Sequence, residues 1–217
     1  MKTNPSHPKK NSVYIRIWHW LNVALICGSL LTVLINSTLF DGRPSSAFIK
    51  NELQQAGANV SQEQARAVQH GFEDKIWEIH IYIGYALAAL VLYRILMELF
   101  ESKPYKFFPK LKRSFRLYFT TKIRSNGYEF GIKLLYLVFY SVIFLMVITG
   151  LSVAFDDELG FSKSFSHTLK EFHGFCMYII IAFSVLHIAG VFFAERKDKK
   201  GIVSDMINGG VLDNHDQ

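Results

Sequence analysis

The chain of 217 residues is half apolar, contains 19 phenylalanines and carries a formal net charge of +6. Its charged residues lie mostly outside four long apolar stretches, and a soluble core of this size does not need that pattern. We therefore interpret the basic balance as a signal of membrane topology and not of nucleic-acid binding.

The four apolar stretches predict membrane-spanning helices, because each is close to the ~20 residues that cross a ~30 Å hydrocarbon layer as helix. A long external loop is predicted at 40–78, a basic cytoplasmic loop at 98–133 and a cytoplasmic tail at 195–217. The predicted fold class is all-α, an integral membrane four-helix bundle in a single domain of residues 1–217. Its helices are expected at about 17–35, 79–97, 134–155 and 172–194.

The distribution of basic residues predicts the orientation, since lysine and arginine are retained on the cytoplasmic side of the inner membrane. Eighteen of the 24 lie in the N-terminal tail, at the end of the second helix, in the 98–133 loop or in the C-terminal tail. The other six share the two remaining loops with ten acidic residues. Both termini are therefore predicted to be cytoplasmic.

Two loops carry local patterns. In the external loop, residues 41–44 predict a turn and residues 61–64 form a capping-box pattern that predicts the start of a short helix. This loop is either a partner surface or a solvated connector. In the cytoplasmic loop, basic and aromatic residues alternate over 110–124, which predicts a segment lying on anionic lipid or a docking face for a partner.

Four histidines lie within or at the ends of the apolar stretches, where ionisable side chains are costly and mark functional sites. His173 and His187 are 14 residues apart, so they share one helix face to within about 40° and differ in depth by ~21 Å. In the predicted topology His19 lies at the level of His187, near the inner surface, and His80 lies at the level of His173. Depth therefore pairs His19 with His187 and His80 with His173.

Two imidazoles that face each other between apolar helices are the axial ligands that a b-type haem requires. The two pairs therefore predict two haem b groups per chain, bound between helices, with these four histidines as the iron ligands. Zinc fits less well, because it usually takes three or four protein ligands. The sequence contains no Cys-x-x-Cys-His motif, so covalent haem attachment is not expected.

Four further side chains have two interpretations each. Arg94 follows His80 by 14 residues and Arg16 lies near the inner surface, so both are predicted partners of an inner haem propionate. The alternative is that they anchor the chain on its positive, cytoplasmic side. His70 and His167 are predicted to be external surface residues, with replacement of an outer-site ligand as the alternative.

The chain resembles the prokaryotic di-haem membrane cytochromes b, a group that includes cytochrome b561 proteins and the cytochrome b subunits of nickel-iron hydrogenases. The resemblance extends from Arg16 to about Gly210. It rests on the segment Arg16–Trp20, on the positions of the four histidines and on the stretch Gly201–Gly209. The 14-residue spacing and this last stretch are more similar to the hydrogenase type, whereas the external loop is longer than in the compact cytochrome b561 pattern.

The resemblance implies electron transfer between a quinone in the bilayer and a redox protein or enzyme subunit at the surface of a prokaryotic plasma (inner) membrane. No nucleophile, general base or substrate pocket is identifiable in the sequence. The sequence leaves two questions open: whether the chain is part of a quinone-linked oxidoreductase complex, and whether it forms an oligomer. A transition-metal transporter with intramembrane histidines and a cofactor-free membrane scaffold are the alternative functions.

Overall fold

The structure, a computed structural model, describes residues 12–100, 112–113, 115–116, 124–197 and 201–209. These residues contain helices and no strand. The predicted all-α class is therefore confirmed. The main helices are α1 (Val13–Leu39), α2 (Gly42–Gln55), α3 (Gln62–Phe100), α4 (Arg124–Ala154), α5 (Asp156–Leu159), α6 (Lys163–Lys197) and α7 (Ile202–Asn208).

Helices α1, α3, α4 and α6 are long and apolar enough to cross a membrane, which confirms the prediction of four spanning helices. Many of their exposed side chains are large and apolar, as at Val185 and Ile188, whereas the polar side chains of Thr32, Asn36 and Thr149 are buried. This pattern is the reverse of that in a soluble protein. A helix in lipid presents apolar side chains outward and satisfies its polar groups within the protein.

The chain divides into two units, Asn22–Ala89 and Met1–Leu21 with Leu90–Gln217. In the first unit, much of the predicted external loop is helical. The backbone N–H of Gln64 donates to Ser61 Oγ at 3.1 Å, and the Ser61 N–H donates to Gln64 Oε1 at 2.8 Å. The predicted capping box is confirmed, but the helix it opens is not short, because α3 continues for 39 residues to Phe100.

The capping box gives a testable prediction about the start of α3. Replacing the hydroxyl of Ser61 by hydrogen, Ser61→Ala, leaves the Gln64 N–H without this partner and should destabilise the first turn by about 1 kcal/mol. Amide hydrogen exchange of residues 62–65 should become faster. Ser45→Ala is the matched control, because the Ser45 hydroxyl donates to the Asp41 carbonyl and caps no N–H group; equal exchange in both variants would contradict the role of Ser61.

Short polar bonds attach α2 to the start of α3. Gln69 Nε2 donates to the Phe40 carbonyl at 2.6 Å, and Gln62 Nε2 donates to the hydroxyl of Ser46 at 3.0 Å. Ser46 is fully buried. The turn predicted at 41–44 is instead the first turn of α2, which Gly42 enters with a φ of +58°.

In the second unit, α4 packs against α6, and the short helix α7 is held at both ends. The carboxylate of Glu195 accepts hydrogen bonds from the N–H groups of Gly201, at 2.7 Å, and Val203, at 3.3 Å. At the other end, the Arg16 guanidinium donates to the Ile207 carbonyl and the Trp20 indole donates to the Met206 carbonyl. Side chains of α6 and α1 thus satisfy backbone groups that a helix leaves open at its termini.

Several predicted segments lie wholly or partly outside the described residues. Most of the basic segment 110–124, which is predicted to lie on lipid, is outside the described residues. Residues 210–217 of the predicted tail are outside them as well.

Candidate functional site

His19 on α1 and His187 on α6 come together in the unit that contains both. Their ring centroids are 6.2 Å apart, and the ring planes are inclined by 61°. A bond between imidazole nitrogen and a first-row metal is about 2 Å long. When one metal ion binds a nitrogen of each ring, the two metal–nitrogen bonds and the two distances from ring centre to nitrogen add up to a centroid separation of this size. The centroid separation therefore matches that of two imidazoles bound to one metal ion.

Aromatic side chains surround the His19 and His187 rings. Phe183, one turn before His187 on α6, stacks on that ring at 5.7 Å with an interplanar angle of 6°. Phe139 of α4 stacks on Phe183 at 4.5 Å, and Trp20 meets the His19 ring edge-on at 5.4 Å. This packing orients the His187 ring and gives the pair an apolar environment.

His80 on α3 is bound to a hydroxyl group of α1 within the Asn22–Ala89 unit. Its Nδ1 lies 2.8 Å from Thr32 Oγ1 and 3.4 Å from Ser29 Oγ. The Thr32 hydroxyl also donates to the Ser29 carbonyl at 2.6 Å. Trp77 meets the His80 ring edge-on at 5.4 Å. The position of this ring is thus set by polar and aromatic contacts together.

His173 on α6 has a similar environment, in the other unit. Its Nδ1 lies 3.0 Å from Oγ1 of Thr149 on α4, and the Thr149 hydroxyl donates to the Leu145 carbonyl at 2.7 Å. Gly150 lies beside the ring, and a Cβ atom there would be 3.1 Å from His173 Cε1. The absence of a side chain at Gly150 therefore lets the imidazole pack against the backbone of α4.

This close approach predicts the effect of a methyl group at position 150. Gly150→Ala should force the His173 ring to move by a few tenths of an ångström, and overpacking of this kind costs about 1–3 kcal/mol. Gly174→Ala is the matched control, because its Cβ would meet nothing within 4 Å and both variants gain the same helix propensity. Thermal unfolding in detergent should show a lower midpoint for Gly150→Ala than for Gly174→Ala. Equal midpoints would contradict the prediction.

The two predicted arginines have partners within the protein. The Arg94 guanidinium forms an ion pair with Glu98 at 3.3 Å and lies 5.9 Å from the ring centroid of Tyr140. Arg16 donates to the Ile207 carbonyl, while its buried Nε has no hydrogen-bond partner among the described residues. Beside Arg16 lies an open cavity of about 420 Å³, lined by Val13, Arg16, Ile17, Trp20, Leu21 and Ile207.

His70 and His167, in the segments predicted to be external, lie on the surface of the protein, as predicted, while the side of the membrane stays a prediction. The side chain of His70 is 65 % exposed and contacts Glu73, and that of His167 is 73 % exposed and lies near Glu171. Within the described ranges, no three His, Cys, Asp or Glu side chains gather in a group that could hold a metal ion.

The sequence pattern alone does not point to Thr32, Thr149 or Phe183. The two threonines are buried hydroxyl groups within apolar helices, and that is the signal by which they could have been found. Phe183 gave no such signal, because phenylalanine is common throughout the spanning stretches.

Four helices long and apolar enough to span a membrane define the class of the protein as a multi-pass membrane protein. The family model described as prokaryotic cytochrome b561 matches residues 11–209, so the chain belongs to this family. Its activity is electron transfer in the membrane through b-type haem. Searches of curated proteins and of solved structures give no match.

Proposed function

We propose that the chain carries electrons across the prokaryotic inner membrane through two b-type haems, each held by two histidines. His19 and His187 hold the inner haem, and His80 and His173 hold the outer one. The 6.2 Å separation of the His19 and His187 rings is the observation that carries the proposal. The outer pair is supported by the equal predicted depth of its members and by the similar threonine partner that each has in its own unit.

The charge distribution supports an orientation with both termini in the cytoplasm, since most of the lysine and arginine residues then lie on the cytoplasmic side. In this orientation the His19 and His187 pair lies near the cytoplasmic surface. The His80 and His173 pair lies near the opposite surface. Together the two sites span much of the hydrocarbon layer, because 14 residues of α6 correspond to a rise of ~21 Å.

The residues of the chain have distinct roles in this relay. A haem held by two of these histidines would supply one-electron redox chemistry and would leave no iron position open to oxygen or substrate. Phe183 and Phe139 keep the His187 ring in place and exclude water from it. Arg16 and Arg94 supply positive charge for haem propionates, which affects the reduction potential. The unpartnered Nε of Arg16 supports this role.

A membrane quinone and a redox protein at the membrane surface are the proposed electron donor and acceptor, in either direction. The cavity beside Arg16 supports the quinone link, because it is apolar except for the guanidinium and the Trp20 indole. Pockets of this composition suit an apolar ring with polar groups at its edge.

The visible difference spectrum of the detergent-purified protein, dithionite-reduced minus air-oxidised, tests the proposal. We expect sharp b-type bands, and a pyridine haemochrome assay should give about two haems per chain. A folded protein that remains colourless after expression with ample haem would overturn the proposal. A stoichiometry of one would overturn its two-haem form.

A further inference from the structure

Two threonines on different helices contact the histidines of the proposed outer site in the same way. Thr32 Oγ1 lies 2.8 Å from His80 Nδ1, and Thr149 Oγ1 lies 3.0 Å from His173 Nδ1. Each threonine also bonds to a carbonyl of its own helix, Thr32 to Ser29 at 2.6 Å and Thr149 to Leu145 at 2.7 Å. The two arrangements lie in different units, so each is an independent observation.

The hydrogen-bonding capacity of a hydroxyl group determines the direction of these contacts. A threonine hydroxyl has a single proton, and a carbonyl oxygen can only accept, so the proton of each threonine is directed to its helix carbonyl. Towards histidine each threonine oxygen is then an acceptor. Nδ1 of His80 and of His173 must therefore carry a hydrogen and donate it. In a neutral imidazole this leaves the lone pair on Nε2.

We propose that Thr32 and Thr149 are positioning residues that fix His80 and His173 in the Nδ1–H tautomer, so that Nε2 is the atom that ligates the outer haem iron. This inference rests on the proposed function, because it assumes that the two histidines are axial ligands. Hydrogen bonds from the second ring nitrogen of a ligating histidine fix its orientation and raise its basicity. A more basic ligand stabilises the ferric state and lowers the reduction potential.

The inner pair lacks this arrangement. In the described part of the chain, the rings of His19 and His187 are held by aromatic contacts, and their nitrogens form no hydrogen bond. The threonines therefore make the two sites unequal. The hydroxyl groups lower the potential of the outer haem and leave that of the inner haem unaffected.

The test replaces each threonine by valine, which removes the hydroxyl and keeps the branched shape. For Thr32→Val and Thr149→Val we expect the midpoint potential of one of the two haems to rise and its ferric EPR signal to shift. Retention of that haem should weaken by about 10–100-fold. Thr32→Ser and Thr149→Ser keep the hydroxyl and should restore the wild-type values. Redox titration followed by the visible spectrum measures both potentials in one sample.

Thr38→Val is the matched control. Thr38 Oγ1 donates to the Leu34 carbonyl at 2.6 Å but contacts no histidine, so this variant loses the same bond within the helix and should keep both potentials. Unchanged potentials and EPR signals in both histidine-contacting valine variants, with two haems bound, would overturn the inference and leave the proposed function intact. Equal haem loss in the valine and serine variants would also overturn it. Absence of haem from the wild-type protein would overturn the proposed function itself.

Discussion

Alanine at His19 or His187 is expected to lower the haem content from about two per chain to one, with the remaining haem spectrally normal. The proposed site needs both histidines, so that one imidazole alone does not retain its haem. The long apolar helices keep their other contacts, and the second haem therefore stays bound. Alanine at His80 or His173 should remove the other haem. The pyridine haemochrome assay gives the stoichiometry, and the EPR spectrum shows which of the two ferric signals is lost.

Double variants test the pairing of these ligands. His19→Ala combined with His187→Ala should lose no more haem than either single variant, because both changes act on one site. His19→Ala combined with His80→Ala should lose both haems. His167→Ala is the control, because His167 is an exposed histidine of the same helix as two of the ligands. A normal haem content in all four single variants would contradict the assignment of the sites.

Electron transfer across the membrane should stop when either haem is missing. Vesicles that contain the wild-type protein and trapped ferricyanide should transfer electrons inward from external dithionite. Vesicles with His187→Ala or His80→Ala should transfer electrons no faster than protein-free vesicles. With only one haem present, an electron must cross much of the ~21 Å between the two levels in a single step. His70→Ala is the control, because its side chain is exposed and outside both proposed sites. Wild-type rates in either one-haem variant would contradict a relay through both sites.

The contrast between the two sites has a functional consequence for such a relay. His19 and His187, of the proposed inner site, have only aromatic contacts in the described part of the chain, whereas His80 and His173, of the proposed outer site, each also contact a threonine hydroxyl. Since histidine basicity affects the potential of a bound haem, this difference favours an inner haem of higher potential than the outer one. With haem at both proposed sites, this difference would favour electron movement towards the cytoplasmic side in the proposed orientation.

The sequence by itself determined the class of the protein, the number of spanning helices and the candidate ligands. These properties follow from local chemistry, because about 20 apolar residues in helix cross the hydrocarbon layer and an imidazole within such a stretch is costly unless it has a partner. The 14-residue spacing on α6 also predicted a pairing of His19 with His187, and the structure brings these rings to 6.2 Å. Hydropathy could not give the helix ends, since it detects only the part of a helix that lies in lipid.

Only the tertiary structure decided how each histidine ring is held. Thr32 lies 48 residues from His80 in the chain, and Thr149 lies 24 residues from His173. Neither separation has a periodicity that a sequence pattern could reveal, because the contacts join different helices. The same is true of Phe139, which reaches His187 through Phe183, and of Gly150, whose missing side chain admits the His173 ring. Contacts between helices depend on how the helices pack, and that is a property of the folded chain.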